Sequence, residues 1–213
     1  MAVDRTQRKL TAVLSADVKG YSTLMGADEE HTVNTITAYR KIFTAVVEKN
    51  QGRVVDSPGD NILADFNSAL NAVTSAIEIQ AALGTQNAKL PKNRQMFFRI
   101  GINLGDIIHK DGRIYGEGVN IAARIESLAD PGGISISGDV YNKVKNKVDH
   151  GFEYLGAHAV KNIAEPVQIY RIALGRKDPG KNIEAPADEP TSFLEIFKSY
   201  LASKKAVLPA FDA

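Results

Sequence analysis

The clearest pattern of hydrophobic and polar positions along the chain lies in the segment MFFRIGINLGDII. Every second residue there is apolar, while an arginine, a glycine and an asparagine stand between them. The apolar positions are Met96, Phe98, Ile100, Ile102 and Leu104. A period of two is typical of a β-strand with one buried face. We therefore predict a strand here that packs on a core through its even-numbered residues.

Other apolar runs predict further strands. The run TAVLSADV, residues 11–18, is rich in branched side chains and ends two residues before Gly20, as a buried strand would. Two apolar runs flank a Ser-Pro-Gly-Asp sequence within residues 53–66. They predict a hairpin, because proline presets the second position of a turn and glycine supplies a positive φ at the third. The remaining predicted strands are ISIS, FEYL and PVQIYRI.

Helix periodicity, with apolar residues three and four positions apart, occurs in residues 27–50 and 68–83. Shorter helices are predicted from near Gly118 to the DPGG sequence and at residues 141–147. Strands and helices alternate, yet a hairpin makes neighbouring strands antiparallel. The prediction is therefore an α/β (α+β) fold, in which a mixed, mainly antiparallel sheet has flanking helices on one face.

The C-terminal part differs in composition from the rest of the chain. Residues 175–190 are rich in proline, glycine and charge, which predicts a linker after a main domain of residues 1–174. Residues 191–213 are predicted to begin with an amphipathic helix, because apolar side chains recur there at helical spacing. Two interpretations stay open for this helix: it docks on its own core, or it contacts a partner chain or a neighbouring domain.

Composition and charge narrow the classes of function. The 213 residues include 26 basic and 25 acidic side chains, so the net charge of +1 offers no chain-wide positive field to nucleic acid. The absence of cysteine excludes thiolate metal sites and cysteine nucleophiles. No apolar run approaches the roughly 18 to 20 residues of a membrane span, and the charged N-terminus lacks the apolar region of a secretion signal. We expect a cytoplasmic protein without nucleic-acid or membrane contacts in this chain.

Two aspartates are candidates for metal binding. Asp17 lies at the end of the first predicted strand, and Asp60 lies at the tip of the predicted hairpin turn. Carboxylates that converge in this way suit Mg²⁺, which prefers oxygen ligands, and paired ions are a common device of phosphoryl chemistry. The alternative is that Asp60 only stabilises its own turn, as turn aspartates often do.

The segment GEGVNIAARIES carries a second candidate site. On a helix, Asn120, Arg124 and Ser127 form a narrow polar stripe, and apolar residues fill most of the remaining circumference. Such a helix is either largely buried or at an interface, and its arginine needs an anion. Arg124 could pair with a structural carboxylate, or it could stabilise charge on a phosphate while Asn120 orients a sugar.

Other catalytic motifs are missing from the sequence. The YGEGVN segment lacks the third glycine of a dinucleotide-binding loop, and no Walker-type phosphate loop occurs. The four histidines do not have the spacing of metal ligands, so surface roles are expected for them. They are His31, His109, His150 and His158.

Five motifs in a fixed order carry a family resemblance. They are LSADVKGYS, GRVVDSPGDNILADF, RIGINLGD, YGEGVNIAARIES and AVKNIAEPVQIYRI. In this order they resemble the catalytic domain of class III adenylate and guanylate cyclases, and the resemblance covers roughly residues 8–172. The resemblance implies a ferredoxin-like domain that works as a head-to-tail homodimer, with nucleotide sites shared across the interface. It also implies conversion of ATP or GTP to the 3′,5′-cyclic nucleotide and pyrophosphate.

The resemblance implies metal ligands as well. Asp17 in ADVKGYS and Asp60 in SPGDN resemble the two metal aspartates, and the backbone of Val18 resembles an additional metal contact. Two Mg²⁺ or Mn²⁺ ions are implied for each site. Such ions lower the pKa of the ribose 3′-hydroxyl and hold the triphosphate, so that this oxygen can attack the α-phosphorus in line.

Three further residues resemble groups that reach the nucleotide from the opposite subunit. Asn120 and Arg124 resemble the pair that stabilises the transition state, and Lys161 resembles the triphosphate contact. A preorganised group facing charge that grows in the transition state contributes on the order of 3 kcal/mol. Lys161 by itself looks like a solvated surface lysine, so its role depends on the resemblance alone.

Three positions depart from the family pattern. Asp56 lies where adenine-selecting members usually carry a lysine, and Arg113 lies where they usually carry an acidic residue or threonine. Asp106 lies where many members have an arginine that reaches the phosphates. Asp56 could accept a hydrogen bond from the guanine N1–H or from an exocyclic amine, or it could pair with Arg113 across the dimer.

Three functions therefore stay open. The first is a purine nucleotide cyclase, the second is a nucleotide-binding regulatory dimer without turnover, and the third is a generic ferredoxin-like interaction module. A diguanylate cyclase is excluded because the GGDEF signature is absent. Family members are commonly fused to sensor or repeat domains, so the resemblance also implies that such a domain could accompany this one.

Overall fold

The structure is a computed structural model, and it describes residues 7–159 and 165–175. Strands and helices alternate along most of the described chain. The elements are β1 (Gln7–Val18), α1 (Tyr21–Ala27), α2 (Glu29–Lys49), β2 (Gly52–Asp56), β3 (Ile62–Phe66), α3 (Ala69–Asn87), a short 3-10 helix (Lys92–Arg94), β4 (Phe98–Lys110), β5 (Arg113–Tyr115), α4 (Glu117–Ser127), β6 (Ile134–Ser137), α5 (Gly138–Val144), β7 (Gly151–His158) and β8 (Val167–Ala173).

Within these residues, eight strands form a single sheet. The strand order is β2-β3-β1-β4-β6-β8-β7, and β5 pairs with β4 to one side of this path. The β4–β6 pair is parallel, whereas the other strand pairs are antiparallel. The mixed, mainly antiparallel sheet predicted from the sequence is therefore confirmed.

The two longest strands, β1 and β4, form the centre of the sheet. Their antiparallel register runs from Gln7 opposite His109 to Val18 opposite Phe98, and it places Asp17 opposite Arg99. The strand β1 begins four residues earlier than predicted, because residues 7–10 continue the hydrogen-bonded ladder with the long strand β4.

The main core lies on one face of this sheet. The even-numbered apolar residues predicted for β4 line it, except that Leu104 is only partly buried. Phe98 packs against Phe43 of α2, with ring centroids 4.9 Å apart. Residues of α3 and α5 complete the same cluster. Burial of these aliphatic and aromatic side chains supplies the main driving force for folding.

Helix α4 lies on the opposite face, which corrects the prediction of helices on one face only. Gly101 of β4 contacts it so closely that a Cβ atom there would lie 2.1 Å from the backbone nitrogen of Glu126 and 2.4 Å from the carbonyl oxygen of Ala122. A smaller apolar cluster under α4 joins Val13, Ile107 and Ile114 to Ala122. The glycine between apolar residues of β4 is therefore the place where a second layer packs.

Helix α3 continues four residues beyond its predicted end, through the GTQN sequence of residues 84–87. Asn87 secures its last turn. The Asn87 side chain accepts hydrogen bonds from the Tyr39 hydroxyl at 2.8 Å and from the Met96 N–H at 3.0 Å, and it donates to the Met96 carbonyl at 2.8 Å. These buried bonds tie the helix end to the segment that leads into β4.

The predicted linker, residues 175–190, lies outside the described residues apart from residue 175, and so does the predicted C-terminal helix in residues 191–213. Both stay predictions. Among the described helices, none is long and apolar enough to cross a membrane.

Candidate active site

The turn between β2 and β3 carries Asp60 toward the end of β1. Gly59 has a φ of 58°, which glycine adopts without strain, so the positive φ predicted for it is confirmed. The Asn61 N–H donates to the Pro58 carbonyl at 3.0 Å and closes a turn in which Pro58 is the first residue and Gly59 the second, one position earlier than predicted. Arg40 of α2 donates to the Gly59 carbonyl and ties the turn to the helix layer.

Asp17, Val18 and Asp60 come together where β1 ends. The Val18 N–H donates to Oδ2 of Asp60 at 3.3 Å, so the Asp60 carboxylate lies beside the backbone that carries Asp17. The structure thus brings together the residues that the sequence proposed as a metal site. Their oxygen atoms are of the kind that Mg²⁺ and Mn²⁺ prefer.

These donors fit a divalent cation only as part of a larger ligand set. Among the described residues, no group of three or more Asp, Glu, His or Cys side chains could hold a metal ion. Two aspartates and one backbone carbonyl leave coordination positions for water and for phosphate oxygens, which is the usual way Mg²⁺ binds in nucleotide sites. The residues present therefore fit a divalent metal whose remaining coordination positions are filled by water or by phosphate oxygens.

Arg99 of β4 is the immediate partner of Asp17, and sequence patterns missed it. Arg99 Nε donates to Oδ1 of Asp17 at 2.9 Å, and Nη2 donates to Oδ2. Arg99 Nη1 donates to the Ser127 carbonyl at 3.1 Å. The hydrogen bond with Asp17 raises the pKa of Arg99 above its ordinary value, and the charges of Asp17, Glu126 and Asp60 act in the same direction.

Glu126 of α4 is a second residue that sequence patterns missed. It is 4% exposed, its Oε2 accepts from the Ser15 hydroxyl at 3.1 Å, and its Oε1 lies 3.5 Å from Arg99 Nη2. Burial, together with the neighbouring Asp17 carboxylate, raises the pKa of Glu126 to about 8. The available signal was its spacing, because Glu126 lies one turn after the buried Ala122 and beside the buried Ile125.

The polar stripe of α4 faces away from its own sheet. Asn120 and Arg124 are both exposed, and Leu128 beyond the helix is 40% exposed. No carboxylate of the described residues pairs with Arg124. The expectation that α4 is largely buried is therefore wrong for a single chain, because its sheet covers only one side. The interface alternative stays open.

Asp56 and Arg113 approach each other within one chain, and the two alternatives for Asp56, contact with the base and pairing with Arg113 across a dimer, both stay predictions. Strand β2 ends at Asp56 and β5 begins at Arg113, and the two strands lie close enough for Arg113 Nε to approach Asp56 Oδ2 to 3.8 Å. Both side chains keep access to solvent, with 63% of Arg113 exposed. Asp106 is also exposed, on β4. Lys161 lies outside the described residues, so its role stays a prediction.

The comparison with protein families agrees with this geometry. The sequence model of one protein family, the adenylate and guanylate cyclase catalytic domain, matches residues 3–173 of this chain. The chain therefore belongs to the family of adenylate and guanylate cyclase catalytic domains. The family predicted from the five motifs is confirmed.

Individual relatives agree with the family assignment. A protein of Rhizobium meliloti (strain 1021) named "Putative adenylate cyclase 3" is 41% identical over 194 residues, which are 89% of this chain and 33% of that protein. The chain spans about a fifth to two fifths of the length of the curated relatives it matches.

Solved structures of cyclases share the fold. The adenylate/guanylate cyclase/hydrolase from Silicibacter pomeroyi has a TM-score of 0.74 and 37% identity, covering 79% of this chain and 98% of that one. The adenylyl cyclase CyaB from P. aeruginosa has a TM-score of 0.72 and 26% identity, covering 82% and 98%. The guanylyl cyclase Cya2 has a TM-score of 0.68 and 25% identity, covering 79% and 93%. The similar structures thus include enzymes named for either purine base.

Proposed function

We propose that this domain converts ATP or GTP to the 3′,5′-cyclic nucleotide and pyrophosphate, as a signal-producing cyclase. The observation that carries the proposal is the contact between Asp60 and the Val18 N–H, at 3.3 Å, which gathers two carboxylates at one end of β1. The family assignment supplies the reaction class. The motifs of the proposed site all lie within the matched residues.

In this proposal, Asp17, Asp60 and the Val18 carbonyl hold divalent cations, which class III cyclases generally use. Two Mg²⁺ or Mn²⁺ ions would supply charge neutralisation for the triphosphate and a lowered pKa for the ribose 3′-hydroxyl. The two aspartates would fix where the cations bind, and the cations would in turn fix where the anionic triphosphate binds. No covalent nucleophile is needed, which agrees with a chain that has no cysteine.

A second copy of the chain would complete the site. Asn120 and Arg124 are exposed, and Arg124 has no carboxylate partner among the described residues, so both are available to a neighbouring subunit. Arg124 would stabilise charge on the transferring phosphate, and Asn120 would orient the ribose. Lys161 would contact the triphosphate. We therefore propose a homodimer with two shared sites, in which each chain contributes its aspartates to one site and its α4 residues to the other.

The experiment measures pyrophosphate and cyclic nucleotide produced from ATP and from GTP, with Mg²⁺ and with Mn²⁺. The wild type is compared with Asp17→Ala and with Asp149→Ala, whose substituted side chain is exposed and lies outside the proposed site. Product that is lost in Asp17→Ala and kept in Asp149→Ala supports the cyclase. Equal turnover in all three proteins would exclude Asp17 as a metal ligand.

A second candidate function is a nucleotide-binding regulatory dimer without turnover. The observation in its favour is that Asp56 and Arg113 reverse the charges expected for a base-reading pair and lie within ion-pair distance of each other. Asp106 adds a negative charge where many relatives have an arginine. This alternative predicts metal-dependent nucleotide binding with no pyrophosphate release.

A further inference from the structure

The Arg99 guanidinium lies between two carboxylates that belong to different layers of the molecule. On one side are both oxygens of Asp17, in the adjacent strand β1. On the other side is Oε1 of Glu126 on α4, 3.5 Å from Arg99 Nη2. One guanidinium is thus shared unequally by two carboxyl groups, and Asp17 has the closer contact.

The contact with Asp17 uses the same oxygens that a metal would need. Arg99 Nε donates to Oδ1 at 2.9 Å and Nη2 donates to Oδ2, so the guanidinium faces the carboxylate in a bidentate arrangement. A divalent cation at these oxygens would lie beside a positive charge, and the two cations repel each other. Metal and Arg99 therefore compete for Asp17.

Glu126 is suitably placed to accept the guanidinium when it leaves Asp17. The Ser15 hydroxyl already holds one Glu126 oxygen at 3.1 Å, which leaves Oε1 directed at Arg99. The side chains of Arg99 and Glu126 are only 16% and 5% exposed, so a displaced guanidinium would lose its partner without gaining much water. A buried charge without a partner is costly, and the Glu126 carboxyl group already lies 3.5 Å from Arg99 Nη2.

We propose that Arg99 is the counter-cation that occupies Asp17 before a divalent metal binds, and that Glu126 receives the Arg99 guanidinium when the metal takes its place. Arg99 and Glu126 are then positioning residues for metal binding. This inference rests on the proposed function, since it takes Asp17 as a metal ligand. It assigns opposite effects to the two side chains: Arg99 opposes metal binding, and Glu126 favours it.

The test measures binding of Mn²⁺ alone, from the electron paramagnetic resonance signal of the free ion, so no turnover is required. Glu126→Gln keeps the size of the side chain but has no carboxylate to receive the Arg99 guanidinium. It should weaken Mn²⁺ binding about tenfold, which is the lower end of the loss seen when partners of metal ligands are changed. Glu153→Gln is the matched control, because Glu153 pairs with Arg171 at a distant strand and should leave binding unchanged. Equal Mn²⁺ affinity in Glu126→Gln and the wild type would overturn the proposal.

The Arg99→Gln variant distinguishes two roles for Arg99. In one, Arg99 competes with the metal for Asp17; in the other, it only orients the Asp17 carboxylate. Loss of a competitor should leave Mn²⁺ binding at least as tight as in the wild type, whereas loss of an orienting group would weaken it. This variant leaves the carboxyl groups of Asp17 and Glu126 without the guanidinium between them. The double variant Arg99→Gln/Glu126→Gln also removes the Glu126 carboxyl group, and it serves as the second test if the single variant does not fold. The double variant should also bind Mn²⁺ at least as tightly as the wild type, and weaker binding would overturn the proposal.

The same measurements separate the failure of this inference from the failure of the proposed function. Wild-type protein that binds no Mn²⁺ and forms no cyclic nucleotide would exclude both. Wild-type protein that binds Mn²⁺ and forms product, with unchanged Mn²⁺ affinity in Glu126→Gln, would exclude only the exchange of Arg99 between two carboxylates. Thermal melting of each variant shows that the fold is kept.

Discussion

At the scale of single residues, the two aspartates of the RVVDSPGD segment have different partners although they are only four positions apart. Asp60 contacts the Val18 N–H, on the side of the turn that faces β1. Asp56 ends β2 and approaches Arg113 on β5. The turn between them reverses the chain, so one carboxylate reaches the proposed metal site and the other reaches a charged pair. We infer that Asp60 acts on the phosphates and Asp56 on the base.

Substitution of Asp60 tests the first of these roles. Asp60→Ala should reduce cyclase activity by at least about 100-fold, because loss of metal-assisted charge stabilisation costs several kcal/mol and each 1.4 kcal/mol is a factor of ten. The melting temperature should change little, since Asp60 is only partly buried and makes one side-chain hydrogen bond. The measurements are initial rates and thermal unfolding. Activity close to that of the wild type would remove Asp60 from the metal site.

Exchange of the charges at Asp56 and Arg113 tests the second role. The double variant Asp56→Lys/Arg113→Asp keeps an ion pair but places a donor where a carboxylate stood. A lysine there can donate to N1 of adenine, so kcat/KM for ATP relative to GTP should rise by about tenfold, the gain expected from one discriminating hydrogen bond. Stability should change by less than about 1 kcal/mol, because the pair is exposed. An unchanged ratio would show that these residues do not contact the base.

Arg99 and Glu126 show why part of the site could not be predicted from sequence. Asp17 and Asp60 could be predicted from the sequence, because a strand end and a turn are local patterns. Arg99 acquires its role from the register that places it opposite Asp17, 82 residues away along the chain. Glu126 meets Ser15 across 111 residues, and only because α4 crosses β1 and β4 on the second face of the sheet. Contacts of this kind depend on strand order, which no single motif reports.

At the scale of elements, the packing of α4 on β4 is the contact that joins the two halves of the proposed site. Gly101 makes it possible, because its hydrogen atom leaves room for the backbone of Glu126 and Ala122. Asn103, on the same face, donates from its side chain to the Gly118 carbonyl at 3.2 Å and fixes the first turn of the helix. The helix that carries Asn120 and Arg124 is therefore held by backbone contacts at both ends.

Gly101→Ala should displace this helix. The new Cβ would lie 2.1 Å from a backbone nitrogen, which no rotamer change can relieve. We expect a loss of about 1–3 kcal/mol in the free energy of unfolding, as for other overpacked positions, together with a loss of activity. Urea denaturation and initial rates measure the two effects.

Gly84→Ala is the matched control for this substitution. Gly84 lies inside α3 and is exposed, and apart from the neighbouring residues of its own helix no atom lies within 4 Å of the position that a Cβ would take. There the change should stabilise the protein by about 0.5–1 kcal/mol, because alanine is the better helix former. If Gly101→Ala behaved like Gly84→Ala, α4 would not pack on β4 as described.

At the scale of the whole molecule, the order of the strands follows from features that the sequence shows only in part. The alternation in β4 and the turn chemistry of the β2–β3 hairpin predicted the class of fold and its antiparallel neighbours. The two-sided sheet was missed because Gly101 and Gly105 carry no side chain to signal that another layer contacts them. The exposed stripe on α4 was also predicted only in part. Its polar residues could be predicted from the sequence, but the side of the helix that faces solvent depends on which side the sheet covers.

The same stripe leads to the strongest test of the assembly. If each site takes its aspartates from one chain and its α4 residues from the other, Asp17→Ala and Arg124→Ala chains are inactive alone but complement each other. Mixed in equal amounts, half of the dimers are heterodimers, and each has one intact site and one site with both defects. Activity should return to about a quarter of the wild-type value, by the symmetry of a two-fold dimer.

The control is Asp17→Ala mixed with Asp60→Ala, both of which damage the aspartates of a site. In that heterodimer each site keeps one damaged set of aspartates, so activity should stay at the level of the separate variants. Recovery in the first mixture and none in the second would require that Arg124 of one chain acts beside Asp17 of the other. Without recovery in either mixture, Arg124 would serve its own chain or none, and the exposed stripe on α4 would need another partner.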